Sequence, residues 1–223
     1  AYAFTKDKRV VVYMGDDQVN DYVYKFISTE MYVEGNQRAN ANLLDSGKLY
    51  VAKFGNGATA GDFMGTGEWV ELKLSNIPGS YTAYTFANQA DVLINARLAG
   101  DAVGATKMDR PEWVTVHPTS GEVYVTLTNN SGRTTADEAN PRTSNIYGQI
   151  VRWRETGGDA AAMTFDWDIF VLAGNPTVPG NPGTTKAGSS NVTADNTFNS
   201  PDGLGFDKFG RLWIQTDGNH TGL

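Results

Sequence analysis

The sequence predicts an all-β fold of the β-propeller type, and three observations support this prediction. Apolar and β-branched residues recur in about ten short runs, and turn residues separate them. Glycine is frequent, with 25 residues, as in folds made of many short strands and turns. Three acidic residues, 91 and 90 positions apart, each stand at the start of a strand pattern. Sheets that recur at such a spacing are typical of propellers.

The strands are predicted where these runs of apolar and β-branched residues occur. In the second and third copies of the acidic pattern, a turn and a further strand follow, so each copy predicts a hairpin and not a single strand. In chain order, the predicted strands cover residues 9–14, 21–28, 48–54, 68–74, 112–117, 122–127, 149–154, 166–172, 203–206 and 211–215.

Two segments depart from the strand pattern. Within residues 81–105, apolar residues from Phe86 to Leu98 follow helical spacing, which predicts a helix inserted before the strand that carries Glu112. Residues 174–199 are rich in Gly, Pro, Asn, Ser and Thr and have no periodic pattern. They predict a long loop, which could be a lid, a support for a metal site or a plain surface excursion.

Composition and charge limit the classes of function. The net charge of −7 disfavours nonspecific binding to nucleic acid or to an anionic membrane, and suits a protein that collects cations. The sequence has no cysteine, which excludes disulfides, a thiol nucleophile and a cysteine-based zinc site. It also has no apolar run of 18 residues, the length that predicts a membrane span.

The chain is expected to be one partial propeller domain, residues 1–223, cut at both ends from a larger protein. It enters almost directly into a strand and stops where a propeller sequence would continue to its next strand. We therefore predict that the remaining blades of the parent propeller are its partners.

The three repeated acids, Asp21, Glu112 and Asp202, are candidate metal ligands. In a propeller the first strand of each blade lines the central channel, so acids at the strand entrances would point at one another. Converging carboxylates repel each other, and a hard cation such as calcium, magnesium or ferric iron relieves that repulsion. Each acid also has a simpler explanation as a turn or strand-end residue.

Arg110 stands two residues before Glu112 and is a candidate oxyanion ligand. A guanidinium group at the mouth of a metal-lined channel could hold a phosphate through two hydrogen bonds. The alternative is a structural ion pair with Asp109 or with another acid at the rim. Asp16 and Asp17 leave a similar choice between rim ligands and hairpin-turn residues.

Three blocks of the chain carry a pattern that matches one known family. They are residues 9–26; residues 95–113, which include Met108-Asp109-Arg110-Pro111-Glu112; and residues 200–218, which begin Ser200-Pro201-Asp202-Gly203-Leu204. In these blocks the sequence resembles the PhoX-type alkaline phosphatases, in family order and across nearly the whole chain. The block around Arg110 is the specific one, because a Pro-Asp-Gly strand entrance recurs in many propellers.

The resemblance implies a bacterial phosphomonoesterase on a six-bladed propeller, with iron and calcium in the central channel and a small phosphorylated substrate. It also implies a periplasmic or secreted location. By the same resemblance, Glu112 and Asp202 would bind metal, Asp21 would be the third ligand, and Arg110 would contact phosphate. Asp21 departs from the family pattern, which often has Glu at this place.

Two further departures concern the completeness of the site. The family's iron site also uses a cysteine from an upstream segment, which this chain lacks, and further calcium ligands would come from other blades. We therefore expect the chain to be a fragment of a phosphatase. In isolation this fragment is expected to be inactive, and its calcium and iron sites can be empty.

Two competing interpretations remain open. The stretch from Pro201 to Asp207 also resembles calcium-dependent sugar lactonases, which are propeller hydrolases with one calcium ion in the channel, although Arg110 argues against this function. The other is a noncatalytic interaction propeller whose acids are strand-end residues, which predicts no metal.

Overall fold

One curved antiparallel sheet dominates the protein, whose computed structural model describes residues 1–175 and 188–218. Within those residues the strands are β1 (Tyr2–Phe4), β2 (Arg9–Gly15), β3 (Val19–Asp21), β4 (Val23–Met31), β5 (Gly47–Phe54), β6 (Met64–Glu71), β7 (Met108–Asp109), β8 (Pro111–Val116), β9 (Val123–Leu127), β10 (Gln149–Glu155), β11 (Thr164–Leu172), β12 (Pro201–Phe206) and β13 (Leu212–Thr216). The α-helices are α1 (Gln37–Asn40), α2 (Gln89–Ile94) and α3 (Ala96–Val103).

The main sheet consists of two four-stranded meanders, each the size of a propeller blade, and β1 is added at the edge beside β2. Its order in the described part of the chain is β1-β2-β4-β5-β6-β11-β10-β9-β8, and the two meanders join because β6 pairs with β11. The sheet curves until β2 contacts β8, so that it is nearly closed. The hairpin β12–β13 packs on β8 and β9, and β3 pairs with β7. The prediction of an all-β, propeller-like fold is confirmed.

Each of the predicted strand regions contains a strand, with ends that differ by a few residues. The sequence patterns missed β1, β3 and β7, because strands of two or three residues are too short to show an alternating pattern. One consequence concerns Asp21, which was predicted to begin the strand at residues 21–28. In the structure Asp21 ends β3, and the strand that matches the prediction, β4, begins at Val23.

Aromatic side chains fill the space inside the curved sheet. Trp153 lies at its centre, with ring centroids 5.5 Å from Tyr13 and 5.9 Å from Trp69. Full burial of side chains of this size contributes roughly 1.5–3 kcal/mol each or more, so this cluster holds the two meanders together. A buried ion pair lies against it, with Lys25 Nζ 3.0 Å from Glu155 Oε1.

The predicted insertion at residues 81–105 is helical, but it forms two short helices instead of one. Asn95 separates α2 from α3 with a nonhelical backbone (φ −104°, ψ 46°). Its side chain donates to the carbonyl oxygen of Asp91 at 3.1 Å, which satisfies an acceptor at the end of α2. Helical periodicity continues across Asn95, and for this reason the sequence pattern did not reveal the break.

The predicted loop at residues 174–199 lies partly outside the described residues, which resume at Gly188. From there to Asn199 the described residues form neither a helix nor a strand. An isolated bridge between Gly174 and Phe198 ties the two ends of this segment together.

Candidate functional site

The site lies where the entrances of β8 and β12 meet the end of β2. The hydroxyl of Thr126, on β9, donates to the carbonyl oxygen of Asp202 at 2.8 Å. This hydrogen bond fixes β12 beside the hairpin of β8 and β9. At Gly15, the last residue of β2, an added Cβ would clash with the carbonyl oxygen of Pro111. Glycine at this position allows the two backbones to approach closely, and the rim residues after β2 therefore lie over the start of β8.

The β8 and β12 entrances share one backbone arrangement. In each, a non-glycine residue with positive φ precedes a proline and then an acid: Arg110 (φ 57°) before Pro111, and Ser200 (φ 47°) before Pro201. The carbonyl oxygen of the left-handed residue accepts a hydrogen bond from the residue after the partner strand. Thr128 N donates to Arg110 at 3.1 Å, and Asp217 N donates to Ser200 at 3.0 Å.

Glu112 is the acid at the β8 entrance. Its Oε2 accepts a hydrogen bond from the Thr128 hydroxyl at 2.9 Å. Burial raises the pKa of Glu112 above its ordinary value, and the charges of Asp17 and Asp202 raise it further, while Thr128 and Arg110 oppose the rise. Glu112 therefore lies in a place where negative charge is only partly compensated.

Asp202 is the acid at the β12 entrance and a neighbour of Glu112. Burial raises its pKa, and the charges of Asp217 and Asp17 add to the rise, against hydrogen bonding with Glu112 and attraction to Arg110. The charge of Asp17 thus acts on both Glu112 and Asp202, and that of Asp217 acts on Asp202, so both acids belong to this rim.

Arg110 lies at the same rim and forms an ion pair with Asp17. Its Nε is 2.9 Å from Asp17 Oδ1 and its Nη2 is 3.0 Å from Asp17 Oδ2, so both carboxylate oxygens are engaged. The ion pair with a rim acid, one of the alternatives for Arg110, is therefore present. The partner is not Asp109, which is buried and paired with Arg133 instead.

Asp21 has a different environment from the other two predicted ligands. It is 1% exposed and forms an ion pair with Arg97. Its Oδ1 accepts hydrogen bonds from the backbone N–H of Tyr22 at 2.7 Å and from the Tyr24 hydroxyl at 3.1 Å. The ion pair with Arg97 ties Asp21 to helix α3, whereas Glu112 and Asp202 face each other.

Sequence reasoning weighed Asp17 only as a rim or turn residue and did not select Asp217. The signal for Asp217 is a register equivalence between the two hairpins. Pro111 pairs with Leu127 and Pro201 pairs with Thr216, so that Thr128 and Asp217 follow equivalent positions. Both then donate a backbone hydrogen bond to the left-handed residue. An alignment of the two hairpins could have found it.

A metal ion is compatible with this donor set in kind. The pKa of both carboxyl groups, those of Glu112 and Asp202, is raised by burial and by neighbouring negative charges, and a cation would compensate these charges. Carboxylate oxygens are also the ligands that hard cations prefer. Across residues 1–175 and 188–218, however, no group of three or more His, Cys, Asp and Glu side chains is arranged to hold a metal ion. The carboxylates of Glu112 and Asp202 thus fit part of a metal site.

A groove of about 1180 Å³ opens beside Glu112. Its walls come from β1, the end of β2, β8 and the turn after β8. That turn contains His117, whose Nδ1 accepts hydrogen bonds from the backbone N–H groups of Thr119 and Ser120. In the described part of the chain, no helix is long and apolar enough to span a membrane.

Comparisons with known proteins place the chain in a family. The family model described as alkaline phosphatase PhoX matches residues 1–223. The solved structure of Pseudomonas fluorescens PhoX in complex with vanadate, a transition state analogue, is 52% identical, with a TM-score of 0.88 over 99% of this chain. This chain covers 38% of that one, and curated protein sequences gave no match. The chain therefore belongs to the PhoX family of alkaline phosphatases.

Proposed function

We propose that this chain forms part of the active site of a metal-dependent phosphomonoesterase. The observation that carries the proposal is the meeting of Arg110 with the carboxylates of Glu112 and Asp202 at adjoining strand entrances. A guanidinium group and hard-cation ligands side by side are what the binding of a phosphate ester requires. The 52% identical PhoX relative holds vanadate, a transition state analogue, which supports the same chemistry here.

The residues proposed to hold metal are Glu112 and Asp202. Asp17 and Asp217 are added because the charge of Asp17 acts on both acids and that of Asp217 acts on Asp202. Asp21 remains a predicted ligand, although its ion pair with Arg97 indicates a structural role. The proposed ions are calcium and iron. When bound, such ions neutralise phosphate oxygens and provide an oxygen nucleophile at neutral pH.

Arg110 is proposed to bind the phosphate oxygens. The two N–H groups that now hold both oxygens of Asp17 have the spacing that a phosphate group also accepts. Because this guanidinium group is fixed before the reaction, it would stabilise charge that develops on the phosphate. Thr128 holds one oxygen of Glu112 and keeps that carboxylate turned toward Asp202.

The proposed substrate is a small phosphorylated molecule, and the proposed location is the periplasm or the exterior. We also propose that other blades of a longer propeller complete the site. The lactonase interpretation has less support, because an arginine beside the carboxylates has no evident task in lactone hydrolysis. A noncatalytic propeller would leave the raised pKa values of Glu112 and Asp202 without a purpose.

The experiment that tests this proposal combines metal analysis with thermal unfolding. The chain is purified without chelators, its calcium and iron contents are determined by mass spectrometry, and its Tm is measured with and without calcium. The Glu112→Gln variant removes one proposed ligand at nearly unchanged volume. Glu68→Gln is the matched control, since Glu68 is an exposed acid on β6, 4.0 Å from Lys53.

The expected result is a calcium-dependent rise in Tm that Glu112→Gln abolishes and Glu68→Gln retains. Vanadate binding in the presence of calcium, lost in Arg110→Met, would connect the metal site to phosphate. A chain that contains no metal and shows no shift with calcium would contradict the proposed site. Hydrolysis of a lactone but not of an aryl phosphate would favour the lactonase interpretation.

A further inference from the structure

A buried ion pair lies directly behind Arg110. The carboxylate of Asp109, the preceding residue, pairs with Nε of Arg133, and its Oδ2 accepts a hydrogen bond from Asn145 Nδ2 at 2.8 Å. Asp109 is 0% exposed and Arg133 is 8% exposed. Neither group reaches the rim where Glu112 and Asp17 lie, so a direct role in binding a ligand is excluded for both.

The segment between β9 and β10 also fixes the backbone before Asp109. Arg133 Nη2 donates to the carbonyl oxygen of Lys107 at 2.7 Å, and Asn140 Nδ2 donates to the same oxygen at 3.1 Å. On the other side, Thr128 N donates to the carbonyl oxygen of Arg110 at 3.1 Å. The backbone is thus held just before and just after the turn at Arg110.

The turn itself needs such support. Arg110 has a positive φ of 57° and precedes a proline, and residues before proline favour an extended backbone. A non-glycine residue in the left-handed region persists where its surroundings fix it. The surroundings here are the ion pair at Asp109 and the hydrogen bonds at Lys107 and Arg110.

An ion pair is an unexpected choice if the purpose is stability alone. Burial of two charges costs desolvation energy, and apolar residues of similar size often serve stability equally well. An apolar pair, however, could not bind the carbonyl oxygen of Lys107. The Arg133 guanidinium binds that oxygen and the Asp109 carboxylate at once. The charges therefore provide direction to the backbone at Arg110.

Because Arg110 binds phosphate in the proposed function, on which this inference rests, we propose that Asp109 and Arg133 are positioning residues. They hold the left-handed turn that places the Arg110 guanidinium beside Glu112 and Asp17. If the pair is weakened, the backbone at Arg110 relaxes toward the extended conformation and the guanidinium leaves the rim.

The test compares two conservative variants that each neutralise a buried carboxylate. Asp109→Asn weakens the pair with Arg133. Glu155→Gln is the matched control, because Glu155 is 4% exposed and its Oε1 is 3.0 Å from the fully buried Lys25 in the aromatic core. Both variants remove one charge from a buried ion pair, so both are expected to lower Tm.

The readout is the ¹⁵N–¹H NMR signal of Arg110 Nε, assigned by its absence in Arg110→Lys. In the wild-type chain the pair with Asp17 protects this N–H from exchange with water. We expect exchange to become at least about tenfold faster in Asp109→Asn, the equilibrium factor that corresponds to about 1.4 kcal/mol. In Glu155→Gln the signal and its exchange rate are expected to stay at the wild-type values.

An unchanged Arg110 signal in folded Asp109→Asn would overturn the proposal, and so would an equal change in Glu155→Gln, which would indicate general loosening. If Asp109→Asn does not fold, Arg133→Lys replaces it with the same readout, since lysine keeps the charge but cannot bind both partners. Vanadate affinity, measured in parallel with calcium, separates the two ideas. A wild-type chain that binds no vanadate contradicts the proposed function, whereas the NMR comparison still decides the positioning role.

Discussion

The entrances of β8 and β12 have the same backbone arrangement but differ in the charge of the residues that flank the acid. Both place an acid after a left-handed residue and a proline. At the β8 entrance, the residue with positive φ is Arg110, a cation, and the residue after the partner strand is Thr128, which donates a hydrogen bond to the acid. At the β12 entrance, the corresponding residues are Ser200, which is uncharged, and Asp217, a second acid.

This difference shows how two copies of one structural unit can contribute different chemical groups to a single site. The backbone arrangement fixes where an acid points, and the two flanking residues decide what the acid meets there. The β8 entrance combines a carboxylate with a guanidinium group. It suits an anion that binds to the guanidinium group and to the same metal cation as the carboxylate. The β12 entrance combines two carboxylates and suits the cation itself.

The largest expected effect tests the β8 entrance. Arg110→Met removes the guanidinium group while keeping a long apolar side chain, and we expect vanadate affinity in the presence of calcium to fall about 100-fold. Charge-assisted hydrogen bonds contribute roughly 1.5–3 kcal/mol, which corresponds to that factor. Isothermal titration calorimetry of the two proteins measures the change.

The control for this substitution is Arg211→Met. Arg211 also pairs with an aspartate, Asp207 at 2.7 Å, but on β12–β13 away from the rim acids. It is expected to bind vanadate as the wild type does. If Arg110→Met binds vanadate with unchanged affinity, the β8 entrance is not the anion side, and the proposed contrast between the two entrances fails.

The second prediction tests the β12 entrance. Asp202→Asn and Asp217→Asn each remove one carboxylate from the proposed cation side. Calcium at ten times its Kd stabilises a folded protein by about 1.4 kcal/mol, and for a chain of this size that is a Tm shift of roughly 3–6 °C. We expect Asp202→Asn to lose this shift and Asp217→Asn to reduce it, as measured by differential scanning calorimetry.

Without calcium both substitutions are expected to raise Tm slightly, because each removes a charge that its neighbours repel. Asp195→Asn, a change at an exposed acid in the segment before β12, serves as the control and should leave the calcium shift intact. A full calcium shift in both site variants would place any cation elsewhere on the chain.

Sequence patterns predicted the strand entrances better than the contents of the site. Glu112 and Asp202 stand at equivalent strand entrances, and their spacing alone suggested this. Asp21 satisfied the same spacing, but in the structure it ends β3, a strand of three residues, and pairs with Arg97. Spacing gives the position of a residue along the chain, whereas the direction of a side chain depends on pairing that no local pattern records.

The residues that complete the rim were hidden for a related reason. Asp17 reaches the site because Gly15 lets β2 approach β8, and that contact joins strands from different meanders. The Asp109–Arg133 pair joins β7 to a segment without regular structure. Contacts between distant segments are a property of the tertiary fold, and a single sequence without periodicity in these places could not predict them.

A smaller effect is expected from the hydrogen bond that distinguishes the β8 entrance. Thr128→Val keeps the shape of a fully buried side chain and its backbone bond to Arg110, but removes the hydroxyl that donates to Glu112. We expect unfolding in denaturant to show a loss of about 1 kcal/mol. Thr128→Ser keeps the hydroxyl donor and should recover part of this loss. The missing methyl group prevents full recovery. A Thr128→Val chain as stable as the wild type would mean that this bond has no net effect.

The smallest expected effect is the pH dependence of stability in the absence of metal, which both entrances share. Burial raises the folded-state pKa of Glu112 and of Asp202 above their ordinary values. In the window between the ordinary and the raised pKa, the folded state therefore binds more protons than the unfolded state. The contribution of these groups is most favourable at acidic pH and declines as pH rises through that window. Both side chains are partly exposed, so the total should stay below about 1 kcal/mol.

Differential scanning calorimetry with a chelator present, at pH values from 4 to 7, measures this dependence against two variants. Glu112→Gln and Asp202→Asn cannot titrate at the altered position, so the Tm of each should decline less than that of the wild type as pH rises. Calcium should reverse the wild-type trend, because a bound cation favours the charged carboxylates and its affinity grows as they ionise. If both variants follow the wild-type curve with chelator present, folding does not raise the pKa of either acid, and the β12 entrance has no electrostatic need for a cation.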